Sequence, residues 1–200
     1  MESMLQNNDY LIEELAAPLR AEYGFVVRDK DTGAILLNAG EMPFGRGVRF
    51  CRHFALLRRT TPFDIQVRTA EGQDVVRLTR GIPVAVSRVR IAGSDGALIG
   101  YLRQRPFSVG GAFDVLDATN APVCRLQGRP TGREFALLTP DGVELARITK
   151  QWAGLGKELF TSADHYRLQV DPIVPPDPTL RQLILAAGLG IALIVKIEIP

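Results

Sequence analysis

From Tyr23 to about Val170 apolar and polar residues alternate along the chain. Phe63-Asp64-Ile65-Gln66-Val67-Arg68 and Val84-Ala85-Val86-Ser87-Arg88-Val89-Arg90-Ile91 are typical. A period of two puts one set of side chains on each face of a strand. The apolar set predicts a buried face; the polar set, mostly arginine, predicts an outward one. Turn signals separate the runs: Asp31-Thr32-Gly33, Glu71-Gly72, Ser94-Asp95-Gly96, Asp117-Ala118-Thr119-Asn120 and Pro140-Asp141-Gly142. Such steps between alternating segments are hairpin signatures. Turns that recur through a chain predict an antiparallel meander, and long meanders form sandwiches or close into barrels, which removes sticky edges.

Both ends depart from this pattern. Residues 1–22 place Leu11, Ile12, Leu15 and Leu19 on one side of a short amphipathic helix, interrupted near its end by Pro18. This predicts an accessory segment ahead of a domain over 23–200. Near the other end, Leu183 to Val195 is an unbroken apolar run preceded by Pro175, Pro176 and Pro178. It predicts a helix over about 180–197 that is apolar all round, and such a helix lies inside a protein or inside a membrane. The uncharged run falls short of the roughly 20 apolar residues that span a bilayer. Gly188 and Gly190, with Ala186, Ala187 and Ala192, make the helix slim enough for the inside of a small barrel. The reading of 180–199 as a membrane anchor stays open, because Arg181 and Lys196 can snorkel from the ends.

Composition narrows the picture a little. A chain of 200 residues with 46% hydrophobic content can build one sizeable core and is too apolar to be disordered. The net charge of +2 points to no particular partner. The kind of base is more telling: apart from Lys30, Lys150, Lys157 and Lys196, every basic residue is arginine. Guanidinium forks match phosphate well. Cys51 and Cys124 make no disulfide framework, and no Cys/His cluster has zinc spacing. The opening MESMLQNNDYLIEELAAP is acidic, without the basic and apolar regions of a signal peptide, so a cytoplasmic protein is expected.

The stretch before the apolar helix carries a family resemblance. Arg147-Ile148-Thr149-Lys150-Gln151-Trp152-Ala153-Gly154 is followed by Lys157-Glu158-Leu159-Phe160-Thr161-Ser162-Ala163-Asp164-His165-Tyr166. This resembles the phospholipid scramblase family, in which a strand ending in Ile-x-Lys-x-Trp-x-Gly precedes an Arg/Lys-Glu-x-Phe-Thr-Asp-Ala-Asp stretch. Pro62-Phe63, Gly72-Gln73-Asp74-Val75 and Ile99-Gly100-Tyr101 also look like that family. The resemblance runs colinearly over roughly residues 24–197. It implies a mainly β, tubby-like fold: a closed antiparallel barrel of about twelve strands around a central hydrophobic C-terminal helix. Tubby proteins, which bind phosphoinositides, and plant LURP-one-related proteins share that fold. The family is named for calcium-dependent movement of lipid between leaflets. A helix sealed in a barrel cannot also span a bilayer, so direct lipid movement by such a barrel is not expected.

The chain departs from the family at its calcium segment. Where the family has an Asp-x-Asp-Asn stretch and a later Asp, this chain has Ser162, Ala163, Asp164 and His165, then Ile173. Asp164 and the nearby Asp171 remain as weak calcium candidates. Calcium takes six to eight oxygen ligands, so no tight calcium site and no cofactor are expected. The palmitoylated cysteine cluster and Pro-rich tail of the animal proteins are also missing.

No catalytic constellation emerges, and the chain reads as a binding protein rather than an enzyme. His165 directly follows Asp164, so on a strand the two face opposite ways. His53 lies among arginines, and no Gly-x-Ser-x-Gly turn is present. Gly45-Arg46-Gly47 and Gly110-Gly111 match no phosphate loop and read as turns or bulges. Trp152, Phe160 and Tyr166 read as one packing cluster, and the cysteines as small hydrophobes. Residues 46–59 carry Arg46, Arg49, Arg52, Arg58 and Arg59 with no acid. Arg77, Arg80, Arg88, Arg90, Arg103 and Arg105 follow on later strands; if those strands are neighbours, their outward arginines form a positive patch. Head-group candidates are therefore Arg46, Arg49, Arg52, Arg58 and Arg59, with Arg88 and Arg90 second. The bland alternative is a solvated face with acidic cross-strand partners. The expected partner is an anionic phospholipid surface, reached from the cytoplasm at the inner membrane, or else an unknown protein. Nucleic acid is not expected, because aromatics do not interleave with the arginines.

Overall fold

In the computed structural model, which describes residues 2–15, 23–43, 61–82, 86–105, 112–128, 133–151 and 165–198, the alternating runs form twelve strands. They are β1 (Asp9–Glu14), β2 (Gly24–Asp29), β3 (Ile35–Glu41), β4 (Phe63–Thr69), β5 (Asp74–Arg80) and β6 (Arg88–Ala92). After them come β7 (Leu98–Gln104), β8 (Ala112–Asp117), β9 (Pro122–Gly128), β10 (Glu134–Leu138), β11 (Glu144–Gln151) and β12 (His165–Val170). Each pairs antiparallel with its sequence neighbour, and β1 pairs with β12 to close the barrel. No described strand is left as an edge, as the meander predicted.

The five predicted turns close five hairpins, and all share one device. Gly33, Gly72, Gly96, Asn120 and Gly142 have φ between 70° and 89°, and the strand register shifts beside each turn. A left-handed residue followed by a bulge fits the right-handed twist of paired strands. Asn120, at φ 70°, is the position where a residue other than glycine takes the role.

The expected helix over 1–22 is corrected. Among the described residues of this segment Glu2–Leu5 (α1) is helical, and Asp9–Glu14 is the strand that closes the barrel, so the barrel reaches upstream of the boundary at 23. The residues support either period. Tyr10 and Ile12 are buried while Asp9, Leu11 and Glu13 face outward, an alternation that long-range pairing with β12 and β2 rewards. Residues 16–22, including Leu19, lie outside the described residues.

The C-terminal helix, α2 (Pro178–Glu198), runs through the barrel. Pro178 opens it rather than preceding it, a position where proline's missing N–H costs nothing. Asp177 caps it, accepting from the Thr179 N–H at 2.9 Å. Every side chain described from Arg181 to Ile194 is buried. The helix must be slim where it passes β7 and β12. A Cβ on Gly190 would come within 2.5 Å of Leu102 Cδ1, and one on Gly188 within 3.0 Å of Leu168 Cδ2. The anchor reading of 180–199 thus gives way to a core helix whose apolar surface is covered by strands. Among the described residues no helix is long and apolar enough to cross a membrane.

At the helix entrance, Arg181 is buried and donates to the carbonyls of Leu5, Asn7, Val174 and Pro175 and to Asn8 Oδ1, at 2.9–3.3 Å. Five oxygens can replace the water a buried guanidinium loses. Nearby, burial pushes the Tyr10 hydroxyl up to about 12 and keeps it neutral; it donates to the Met4 carbonyl.

Candidate anion-binding groove

Register aligns a row of charge across the outside of four strands. Arg88 on β6 lies opposite Arg103 on β7, Arg103 opposite Asp114 on β8, and Asp114 opposite Arg125 on β9. Outward phase is fixed from within, because Val89, Leu102, Phe113, Val115, Cys124 and Leu126 fill the alternate, buried positions. Arg105, just past β7, joins the row. Asp114 thereby receives three guanidiniums, from Arg103 at 3.0 Å, Arg105 at 3.6 Å and Arg125 at 3.8 Å.

These residues line a groove of ≈ 590 Å³, together with Val86, Gln104, Leu116, Asn120 and Pro122. Arg88 borders it. Its guanidinium carbon lies over the Tyr101 ring, 3.7 Å from the centroid, and the guanidinium donates to Asn120 Oδ1. Arg90, exposed on the same wall, has no partner among the described residues. Two like charges directly opposite on paired strands destabilise the pair. Arg88 and Arg103 accept that cost, and Arg88 relieves part of it by turning onto Tyr101. The groove therefore holds excess positive charge in a fixed arrangement. Guanidinium forks around one small carboxylate can take a phosphate-like anion by direct hydrogen bonds.

The other arginine-bearing strands differ. Arg77 pairs with Asp64 at 2.7 Å, Arg68 with Asp74 at 2.8 Å, Arg28 with Glu13 at 2.8 Å and Arg147 with Glu144 at 2.9 Å, while Arg167 forks onto Asp9. There the bland reading holds, with each cation having its own carboxylate. Donating hydrogen bonds to Asp64 raises the Arg77 pKa further, as donating to Glu144 does for Arg147 and to Asp9 for Arg167.

The sequence-predicted residues divide as follows. Arg88 and Arg90 stand together on the exposed wall. Arg80 does not; it is 1% exposed, donates to the Thr61 carbonyl at 2.8 Å and lies 4.7 Å from the Phe63 centroid. It shares the inward phase of Val76 and Leu78, so it cannot reach a surface patch. The strand read over 84–91 begins only at Arg88, leaving Val86 exposed before it. Arg46, Arg49, Arg52, Arg58, Arg59, Asp164, His53, Trp152, Phe160 and Cys51 lie outside the described residues. Asp171 accepts the Ile173 N–H at 2.9 Å, and among the described residues no cluster of three His, Cys, Asp or Glu stands ready for a metal. His165 Nδ1 is 3.9 Å from a Glu13 carboxylate oxygen. Cys124 is buried, and burial pushes its thiol up to about 12, so it behaves as a small hydrophobe. Tyr166 is fully buried in the core. Arg125, Asp114 and Asn120 are groove residues that sequence reasoning missed. Plain counting outward from the turn would set Asp114 opposite Cys124; a bulge between Val115 and Leu116 moves it to Arg125, so the sequence offered only the outward phase of Asp114 and Arg125.

Fold and groove together define a class: a closed antiparallel β-barrel built around its own helix, with a basic groove on one wall. The Scramblase family model matches residues 25–194, and the chain belongs to that family. It is similar to human phospholipid scramblase 2, 24% identical over 125 residues that cover 56% of this chain and 42% of the human protein. The match thus spans less than half of that relative.

Proposed function

We propose that this protein binds anionic phospholipid head groups at a membrane surface, and that the groove over β6–β9 is where it does so. One observation carries the reading: Arg103 and Arg125 share the carboxylate of Asp114 beside Arg88 and Arg90. Each basic residue near an anionic surface contributes about 1 kcal/mol, so such a cluster gives reversible, salt-sensitive attachment. On this reading attachment rests on the arginines and calls for neither calcium nor catalysis, and lipid movement is no part of it.

Liposome flotation tests this, comparing phosphatidylcholine vesicles with vesicles doped with phosphatidylserine, across a salt series, with and without calcium. The expected outcome is binding to the anionic vesicles alone, lost at high salt and unchanged by calcium. Absence of binding at low salt would leave a protein-interaction module as the better account.

A further inference from the structure

The described hairpin turns of the barrel are acidic. All five hairpin turns lie at one end, and each brings an acid: Asp31, Glu71, Asp95, Asp117 and Asp141. Four of these turns line no part of the groove; the fifth contributes Asn120 to it. The opposite end is where β5 and β7 run out and β6 begins, and there the groove opens beside Arg88 and Arg105. The connection between β5 and β6 reads Gly81-Ile82-Pro83-Val84-Ala85-Val86-Ser87, without one charge.

The described parts of this connection combine an anchored base with exposed apolar residues. Ser87 is buried; its carbonyl accepts the Gln104 N–H at 2.9 Å, and its hydroxyl lies 3.5 Å from Arg80 Nη1. Arg80, under it, is itself held by Thr61 and Phe63. Above that base Ile82 is 71% exposed and Val86 38% exposed. Val86 keeps the outward phase of Arg88 and Arg90 and lines the groove directly. Leu15 and Met42 are also exposed at this end, but each directly follows a glutamate, Glu14 or Glu41. Val86 sits instead beside Arg103 and Arg105 in the groove lining, and Ile82 precedes it by four residues in the same uncharged connection. Apolar side chains next to cations suit the bilayer interface, where head groups give way to acyl chains.

Building on the head-group reading, we infer that Ile82 and Val86 form a wedge that enters the acyl boundary of an anionic bilayer while the groove holds head groups beside it. The barrel then docks by the wall on which Val86 and the groove lie side by side. Charge complementarity selects the occupant, an anionic lipid surface.

The test introduces a tryptophan, Ile82→Trp, and follows its added emission over wild type on vesicles of phosphatidylcholine with phosphatidylserine, some carrying brominated acyl chains. The same substitution at the acidic end, Ile173→Trp, is the control. The expected result is a blue shift and at least about twofold quenching for Ile82→Trp, and neither for Ile173→Trp. In flotation, Ile82→Asp with Val86→Asp should weaken partitioning about tenfold. Both sites are exposed, and a thermal melt checks that the double variant folds; if it does not, the tryptophan readout still decides. Wild-type flotation without a blue shift at position 82 overturns the wedge and leaves the groove reading intact. A wild-type protein that does not float overturns both.

Discussion

Two walls of this barrel use the same residue in different ways. On the walls that carry Arg28, Arg68, Arg77, Arg147 and Arg167, each arginine has a carboxylate of its own. On the wall of β6 to β9, three arginines share Asp114 and two more stand beside them. Exposed one-to-one pairs contribute about 0–1 kcal/mol each and leave nothing for a ligand to satisfy. Around the shared carboxylate Arg103 and Arg125 stay about half exposed and are held in register by the strands. Arginine content alone therefore does not mark a binding face; the ratio of arginines to carboxylates on one wall does.

The sharpest way to break this comparison is charge reversal on each wall. Arg103→Glu with Arg125→Glu should lower binding to anionic vesicles by about 100-fold or more, since each reversal removes one attraction and adds one repulsion. Arg77→Glu with Arg147→Glu makes the same change in net charge on the paired walls and should lower it by less than about fivefold. Flotation at fixed low salt reads both. Equal losses would mean that net charge, rather than the groove, governs attachment.

A smaller effect of opposite sign tests the shared carboxylate. Asp114→Asn removes the groove's internal anion and should raise affinity for anionic vesicles about fivefold, at a stability cost of up to about 1 kcal/mol. Asp64→Asn, which unpairs Arg77, should carry a similar cost and leave vesicle binding within about twofold. Thermal melts and flotation on the same preparations separate the two. If both substitutions raise binding alike, Asp114 is one more surface acid.

Much of the fold was legible because its signals are local. Alternation fixed which residues of β4 and β6 face inward, the turn residues marked the hairpins, and the apolar run with Gly188 and Gly190 announced a helix sized for a barrel. The strand at Asp9–Glu14 was not legible. Its residues suit a helix equally well, and the pairing that decides the matter comes from β12, more than 150 residues away. The positive patch was half legible. Arg88 and Arg90 declare an outward phase by alternating with Val89 and Ile91, whereas Arg80 looks equivalent until its phase is counted with Leu78. What makes a groove is cross-strand register, which bulges shift by one position beside each turn. One such shift separates Asp114 from a different partner.

The smallest expected effect bears on Asn120, where the comparison comes down to one turn. The other four hairpins place glycine at positive φ, and none of those turns lines the groove. At this turn an asparagine accepts a conformation that favours glycine, and its side chain receives Arg88. Asp117 steadies the same turn by accepting from Thr119 and Ala121, bonds that hold its carboxyl below the ordinary carboxylate range. Asn120→Gly keeps the backbone comfortable, so stability should stay within about 0.5 kcal/mol. Arg88 would then keep Tyr101 as its remaining described partner and gain freedom that must be lost again on binding. Affinity for anionic vesicles should fall about twofold to threefold, which corresponds to a fraction of a kcal/mol of side-chain ordering. Gly72→Asn, the reciprocal change on a paired wall, should leave binding as it is. If Asn120→Gly binds like wild type, Tyr101 alone positions Arg88. If it binds more tightly, Asn120 competes with the head group for that guanidinium, and the asparagine tempers the groove instead of building it.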